Sequence, residues 1–146
     1  MVHALLECWR VLEPEGVLID LRPFHSKPAL EIITADGIFV PGHVDDSGCV
    51  ADDIASSEAI AAMVRQGYFA LQKQDSFQFA NYWDTLDGLL EHADEKWRDF
   101  ACIPPSVVAG AWRCIAGANG RYRVRTYREM HIAVYQKQAL AVDHKQ

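Results

Sequence analysis

Three groups of side chains have the types that chemistry needs, and two of them also have a suggestive spacing. His43, Asp45 and Asp46, followed by Asp52 and Asp53, gather an imidazole and several carboxylates in one short stretch, the donors that hold a divalent cation. Because that stretch leads into a helical pattern, its carboxylates read as caps and as partners of the helix's positive end, and no metal is predicted. Arg121, Arg123 and Arg125 recur on alternate residues, with Arg128 beyond them, a spacing able to clamp a phosphate or carboxylate. On an exposed strand face the same spacing serves solubility and cross-strand pairing. Cys102 or Cys114 with His131 supplies a nucleophile and a base by type, yet nothing in their spacing brings them together. Gly117-Ala118-Asn119-Gly120 is the one glycine pair that suggests a phosphate cradle; it follows a helix and precedes a strand, so it reads as a helix stop.

The elements that must position these residues show in changes of hydrophobic period. Val2, Leu5, Leu6, Trp9 and Leu12 follow helical spacing, and with Ala4, Cys8 and Val11 also apolar, most of that helix needs covering. Gly16 to Leu21 is apolar on consecutive positions, which predicts a strand covered on both faces as in a parallel sheet. Ala29 to Thr34 and Ile38 to Val44 flank Ala35-Asp36-Gly37 and predict a hairpin. A helix is expected over Cys49 to Gln66, stopped by Gly67 in a left-handed conformation. Tyr68 to Leu71 and Ser76 to Tyr82 read as strand material. Asp84 is the expected cap of a short helix through Leu86, Leu89 and Leu90, and Pro104-Pro105 opens another through Val107, Val108, Ala111, Trp112 and Ile115. From Arg121 to Gln136 the period is two: Tyr122, Val124, Thr126, Met130, Ile132 and Val134 on one face for a core, and Arg121, Arg123, Arg125, Glu129 and His131 on the other.

Composition narrows the function classes. Half of the 146 residues are apolar and 23% are charged, enough for a real core. The net charge of −6 and a pI near 5.4 argue against tracking a nucleic-acid backbone. No apolar run approaches a membrane span and the opening residues do not read as a signal peptide, so neither a leader nor a membrane partner is expected. The four cysteines lack a Cys-x-x-Cys spacing and read as reduced thiols of a cytoplasmic protein. No repeat or linker breaks the chain, which is read as one domain over residues 1–137 with a polar tail over 138–146.

The run Leu5-Leu6-Glu7-Cys8-Trp9-Arg10-Val11-Leu12-Glu13-Pro14-Glu15-Gly16-Val17-Leu18-Ile19-Asp20 resembles the helix, turn and fifth strand of class I S-adenosylmethionine-dependent methyltransferases of the type 11 kind. That turn usually reads Arg-Val-Leu-x-Pro-Gly-Gly in the family, and Glu15 stands here where the first glycine is usual. Phe77-Gln78-Phe79 to Trp83-Asp84-Thr85-Leu86-Asp87, with Tyr122 to Tyr135, is similar to the sixth and seventh strands. The resemblance implies an α/β (α+β) fold with a mixed, partial Rossmann-like sheet, its last strand lying between the Gly16–Leu21 and Ser76–Tyr82 strands and antiparallel to both.

The strand and glycine-rich turn that open such a sheet have no counterpart among the residues before the first helix, so the chain looks like the C-terminal half of the fold. The resemblance therefore implies no cofactor bound by this chain alone, S-adenosylmethionine entering only if an N-terminal half is supplied. It points to a non-catalytic binding or accessory module, or a truncated product; the alternative is part of a small-molecule methyltransferase completed by a separate segment. Carried over by position, the substrate side of the cleft falls on Asp20, Arg22, Phe24 and His25. Arg22 suits an acidic substrate group and His25 a base near neutral pH. An uncovered strand edge at Gly16–Leu21 and an apolar first helix predict a homodimer closed over both.

Overall fold

A computed structural model of the chain describes residues 1–23, 27–118 and 120–139. In chain order the elements are α1 (Val2–Val11), β1 (Val17–Pro23), β2 (Ala29–Thr34), β3 (Gly37–His43), a single 3-10 turn (Ser47–Cys49), α2 (Val50–Arg65), β4 (Phe69–Trp83), α3 (Leu86–Lys96), α4 (Pro105–Gly117) and β5 (Arg123–Lys137). Asn119 and most of the expected tail, from residue 140 on, lie outside the described residues. The strands pair in the order β1-β5-β2-β3, with β4 also on β5.

Two compact units divide the chain. One holds Met1–Arg22, Ala51–Phe77 and the chain from His131 onward; the other holds Pro23–Val50 and Gln78–Met130. Each is assembled from separate stretches of sequence, which is why no linker composition marks a boundary between them.

In the first unit, adjacent amides at the end of β5 reveal its neighbours. Lys137 N–H donates to the carbonyl of Gly16 just before β1, and Gln138 N–H to that of Tyr68 just before β4, at 2.8 and 2.9 Å. Successive amides of a strand point to opposite edges, so β5 lies between β1 and β4 and runs antiparallel to both. β1 and β4 share a direction but do not touch in the ladder. The parallel pairing of a Rossmann-like sheet is thus not what the described strands make: their pairings are antiparallel.

The core of this unit is Ile60 and Met63 of α2 with Phe69, Ala133 and Tyr135, against which Leu5, Leu6, Trp9, Leu12 and Leu18 pack. Trp9 Nε1 donates to the Gln138 carbonyl at 3.1 Å, and Lys137 Nζ both donates to the Leu12 carbonyl at 2.6 Å and sits over the Trp9 ring, fastening α1. Only one side of α1 is used: no residue of it is fully buried, whereas the sequence expects most of its circumference to be covered.

Expected double cover of β1 also gives way to a different arrangement. Leu18, Asp20 and Arg22 turn inward, while Val17, Ile19 and Leu21 remain 50, 59 and 52% exposed. An unbroken apolar run is compatible with one bare face, and among the described residues the helices pack against only one side of the strand. Gly67, at φ +78°, ends α2 as its position predicts, with Tyr68 N–H returning to the Met63 carbonyl.

In the second unit the β2–β3 hairpin forms around Ala35-Asp36-Gly37 and β2 pairs with Arg123–Tyr127 of β5. α4 lies across β3 so closely that a Cβ on Gly42 would stand 2.6 Å from a Val107 methyl. Leu30, Ile32, Leu86, Leu89, Val107, Ala111 and Val124 form the core, each buried Leu, Ile or Val side chain contributing roughly 1.5–3 kcal/mol. α3 is capped by Thr85, whose hydroxyl accepts from Gly88 N–H at 3.1 Å; Asp84, the expected cap, is one residue too early to reach the third amide of the helix.

Two strand expectations are corrected by tertiary pairing. β4 is a single strand, because the polar Gln72 to Asp75 stretch stays in the ladder despite its composition. Along β5 the buried residues change parity: Val124 and Thr126 are inside in the second unit, Ala133 and Tyr135 in the first. The expectation of one core face for the whole strand fails because each unit buries its own set.

Candidate functional site

Alternate residues of two strands build a cavity of about 230 Å³ wholly within the second unit. Thr126, Arg128 and Met130 project from one face of β5, and Phe79 and Asn81 follow the same two-residue period on β4. The turn after α3 supplies a wall: the amides of Phe100 and Ala101 both return to the Trp97 carbonyl, at 2.9 and 2.8 Å, which sets Trp97, Phe100 and Ala101 at the cavity. Asp45 and Cys102 exchange backbone hydrogen bonds of 2.8 Å in each direction, pinning that turn to the segment of Val44, Asp46 and Cys49. Gly48 approaches Phe100 so tightly that a Cβ would lie 2.6 Å from its carbonyl oxygen. Pro23 and Pro28 complete the lining.

Most of this surface is apolar, and its polar part centres on one ion pair. Arg128 Nη2 donates to Asp46 Oδ2 at 2.6 Å, with the two side chains 24 and 19% exposed. The pair joins the segment before α2 to β5, and within the cavity it offers an acceptor beside a donor with no net charge. Asp45 stays outside this pair. Hydrogen bonds from the Ser47 side chain and then its amide hold the Asp45 carboxyl below its usual pKa, with Lys27 adding to the effect.

No family model matches the chain, and no curated protein or solved structure matches it either.

Of the residues singled out from sequence, Asp20 and Arg22 belong to the first unit and face α2 rather than line this cavity. Arg22 Nη2 lies 2.7 Å from Asp20 Oδ2, and Nη1 donates to Ser57 Oγ at 2.8 Å, whose hydroxyl donates on to the Asp53 carbonyl at 2.9 Å. The Asp20–Arg22 contact is charge against charge without hydrogen-bond alignment, and buried Arg22 Nε has no acceptor among the described residues. Nearby Tyr135 is 7% exposed; burial pushes its hydroxyl above the ordinary pKa, the Asp20 carboxylate adds to this, and Arg22 opposes it. Phe24 and His25 lie outside the described residues.

The remaining candidates find other partners. Among the described residues no group of His, Cys, Asp and Glu is arranged to hold a metal ion. Arg125 pairs with buried Glu31 and lies over the rings of Tyr82 and Tyr127; the Tyr82 hydroxyl, then Glu31, raises its pKa further. Arg123 lies over the same Tyr82 ring and 3.8 Å from Asp84, so these alternate arginines act as cross-strand partners. Cys102 and Cys114 belong to the second unit and His131 to the first.

Sequence reasoning missed Phe79, Trp97, Phe100 and the Asp46–Arg128 pair as one site. Asp46 and Arg128 are 82 positions apart, and no period or motif links them. The alternate spacing of Thr126, Arg128 and Met130 was the one available signal.

Proposed function

We propose that this chain is a methyltransferase-like binding module that takes a small molecule into the cavity of its second unit, acts as a homodimer, and does not transfer a methyl group by itself. The cavity carries this reading: an apolar, aromatic-walled recess with one neutral polar pair has the make-up of a ligand pocket. The test is a titration of the full chain with one- and two-ring compounds followed by amide chemical shifts. Saturable shifts grouped at Asp46, Trp97, Phe100 and Thr126 are expected; a flat response across the set would refute it.

The homodimer rests on β1. It stands at the end of the strand order, and Val17, Ile19 and Leu21 form an exposed apolar row with no charge in it. A two-fold pairing about Ile19 sets Val17 against Leu21 of the second copy, while the charges of Asp20 and Arg22 lie together on the opposite face. Val2 and Val11 at the ends of α1 are exposed as well. Light scattering after size exclusion is expected to give twice the chain mass at micromolar concentration; a stable monomer there would remove this part.

A second reading, part of an S-adenosylmethionine-dependent methyltransferase completed by another segment, is favoured by the position of β5 between β1 and β4. Calorimetric titration with S-adenosylmethionine separates the two, since heat of binding to the isolated chain contradicts the accessory reading. No helix among the described residues is long and apolar enough to cross a membrane. No disulfide is formed among them either, which fits the cytoplasmic setting we assign.

A further inference from the structure

We propose that the ligand of the second unit's cavity is a neutral, planar molecule of one or two rings whose amide-type edge, a lactam or carboxamide, bridges Asp46 and Arg128. This rests on the reading of that cavity as a ligand site and adds the chemical class that it selects.

Size and wall chemistry set the body of the molecule. A dry cavity of about 150 Å³ accommodates benzene, so about 230 Å³ has room for a ring system of one or two rings. Phe79, Trp97 and Phe100 offer aromatic faces and edges, and Met130 a polarisable thioether, all of which favour a flat, apolar partner.

The ion pair sets the polar edge. Arg128 is already neutralised by Asp46 at 2.6 Å, so a ligand carboxylate would have to compete with Asp46 or sit beside its charge. A ligand cation would meet the guanidinium in the same way. A neutral edge with N–H next to C=O avoids both conflicts: the N–H donates to the Asp46 carboxylate, and the C=O accepts one of the guanidinium protons that Asp46 does not use. Asn81, on the same wall, carries a further donor and acceptor of amide type.

The experiment uses 2-quinolinone, quinoline and quinoline-2-carboxylate as probes, with dissociation constants from amide shift titrations of the full chain. The wild type is expected to bind 2-quinolinone about tenfold or more tightly than either other probe, the ratio that one charge-assisted hydrogen bond of about 1.4 kcal/mol supplies. In Asp46→Asn the guanidinium loses its counter-charge, so quinoline-2-carboxylate is expected to overtake 2-quinolinone. Filling the cavity with Ala101→Phe should abolish binding of all probes. If quinoline or the carboxylate equals 2-quinolinone in the wild type and Ala101→Phe abolishes that binding, the cavity reading stands and the ligand class is overturned. If no probe saturates a folded wild-type chain, both are overturned.

Discussion

Replacing Glu15 by glycine should stabilise the chain, and the reason lies in one turn. Glu13-Pro14-Glu15-Gly16 closes with Gly16 N–H donating to the Glu13 carbonyl at 2.9 Å, and Glu15 takes φ +63°, the one positive φ among described residues other than glycine. Proline at the second position and a positive φ at the third define a type II turn, whose third position favours glycine. Left-handed backbone costs a residue with a Cβ roughly 1–2 kcal/mol, while glycine loses about 0.5–1 kcal/mol more conformational freedom on folding. Glu15→Gly is therefore expected to gain about 0.5–1 kcal/mol. Glu15→Ala keeps the Cβ and the strain, and should stay within about 0.5 kcal/mol of the wild type; the Glu15 side chain is exposed, so little packing changes in either variant. Urea unfolding followed by tryptophan fluorescence, where Trp9 reports on the adjoining helix, supplies the midpoints. An unaltered or lowered midpoint for Glu15→Gly, or equal gains in the glycine and alanine variants, would refute the strain argument.

Three further outcomes are expected. Arg128→Met leaves the partly buried Asp46 carboxylate without its partner and should cost about 1–2 kcal/mol, the exposure of both side chains keeping the loss below that of a fully buried pair; adding Asp46→Asn should restore part of it in a double-mutant cycle. Thr85→Ala should cost about 1 kcal/mol in thermal unfolding, and Asp84→Ala much less, because the cap hydrogen bond to Gly88 comes from Thr85. Tyr135 has its pKa raised in the folded chain, so the folded state holds the phenolic proton more tightly. That stability is fully present below the ordinary value of 10.0 and is lost as pH rises through the folded value. Tyr135→Phe should remove this alkaline slope, and an identical slope in the variant would show that another group is responsible.

Helices and hairpin were legible in the sequence because their signals are local. Helical spacing in Val2 to Leu12, Gly67 after α2, proline at the start of α4 and Ala35-Asp36-Gly37 between two strands each express a preference satisfied within a few residues. Even the Pro14-Glu15-Gly16 turn was readable, since its backbone requirement is internal to it. Which face each strand buries was not. Val17 to Leu21 supports double or single cover equally, and only the packing of helices against Leu18, Asp20 and Arg22 left Val17, Ile19 and Leu21 bare. β5 alternates without interruption, yet its buried parity follows whichever unit it passes through.

The candidate site belongs almost wholly to the tertiary structure. Sequence by itself determined that the chain would form helices packed on strands and carry a net negative charge, because composition and short-range periodicity act without knowledge of distant partners. Tertiary structure decided that Asp46 meets Arg128, that Trp97 and Phe100 line one cavity with Thr126 and Met130, and that Arg22 lies against Asp20 and Ser57. The physical reason is that an ion pair or an apolar wall is specified by geometry in space. Its energy depends on separation and burial, and the chain brings residues dozens of positions apart into contact only when strands pair and a turn docks against them.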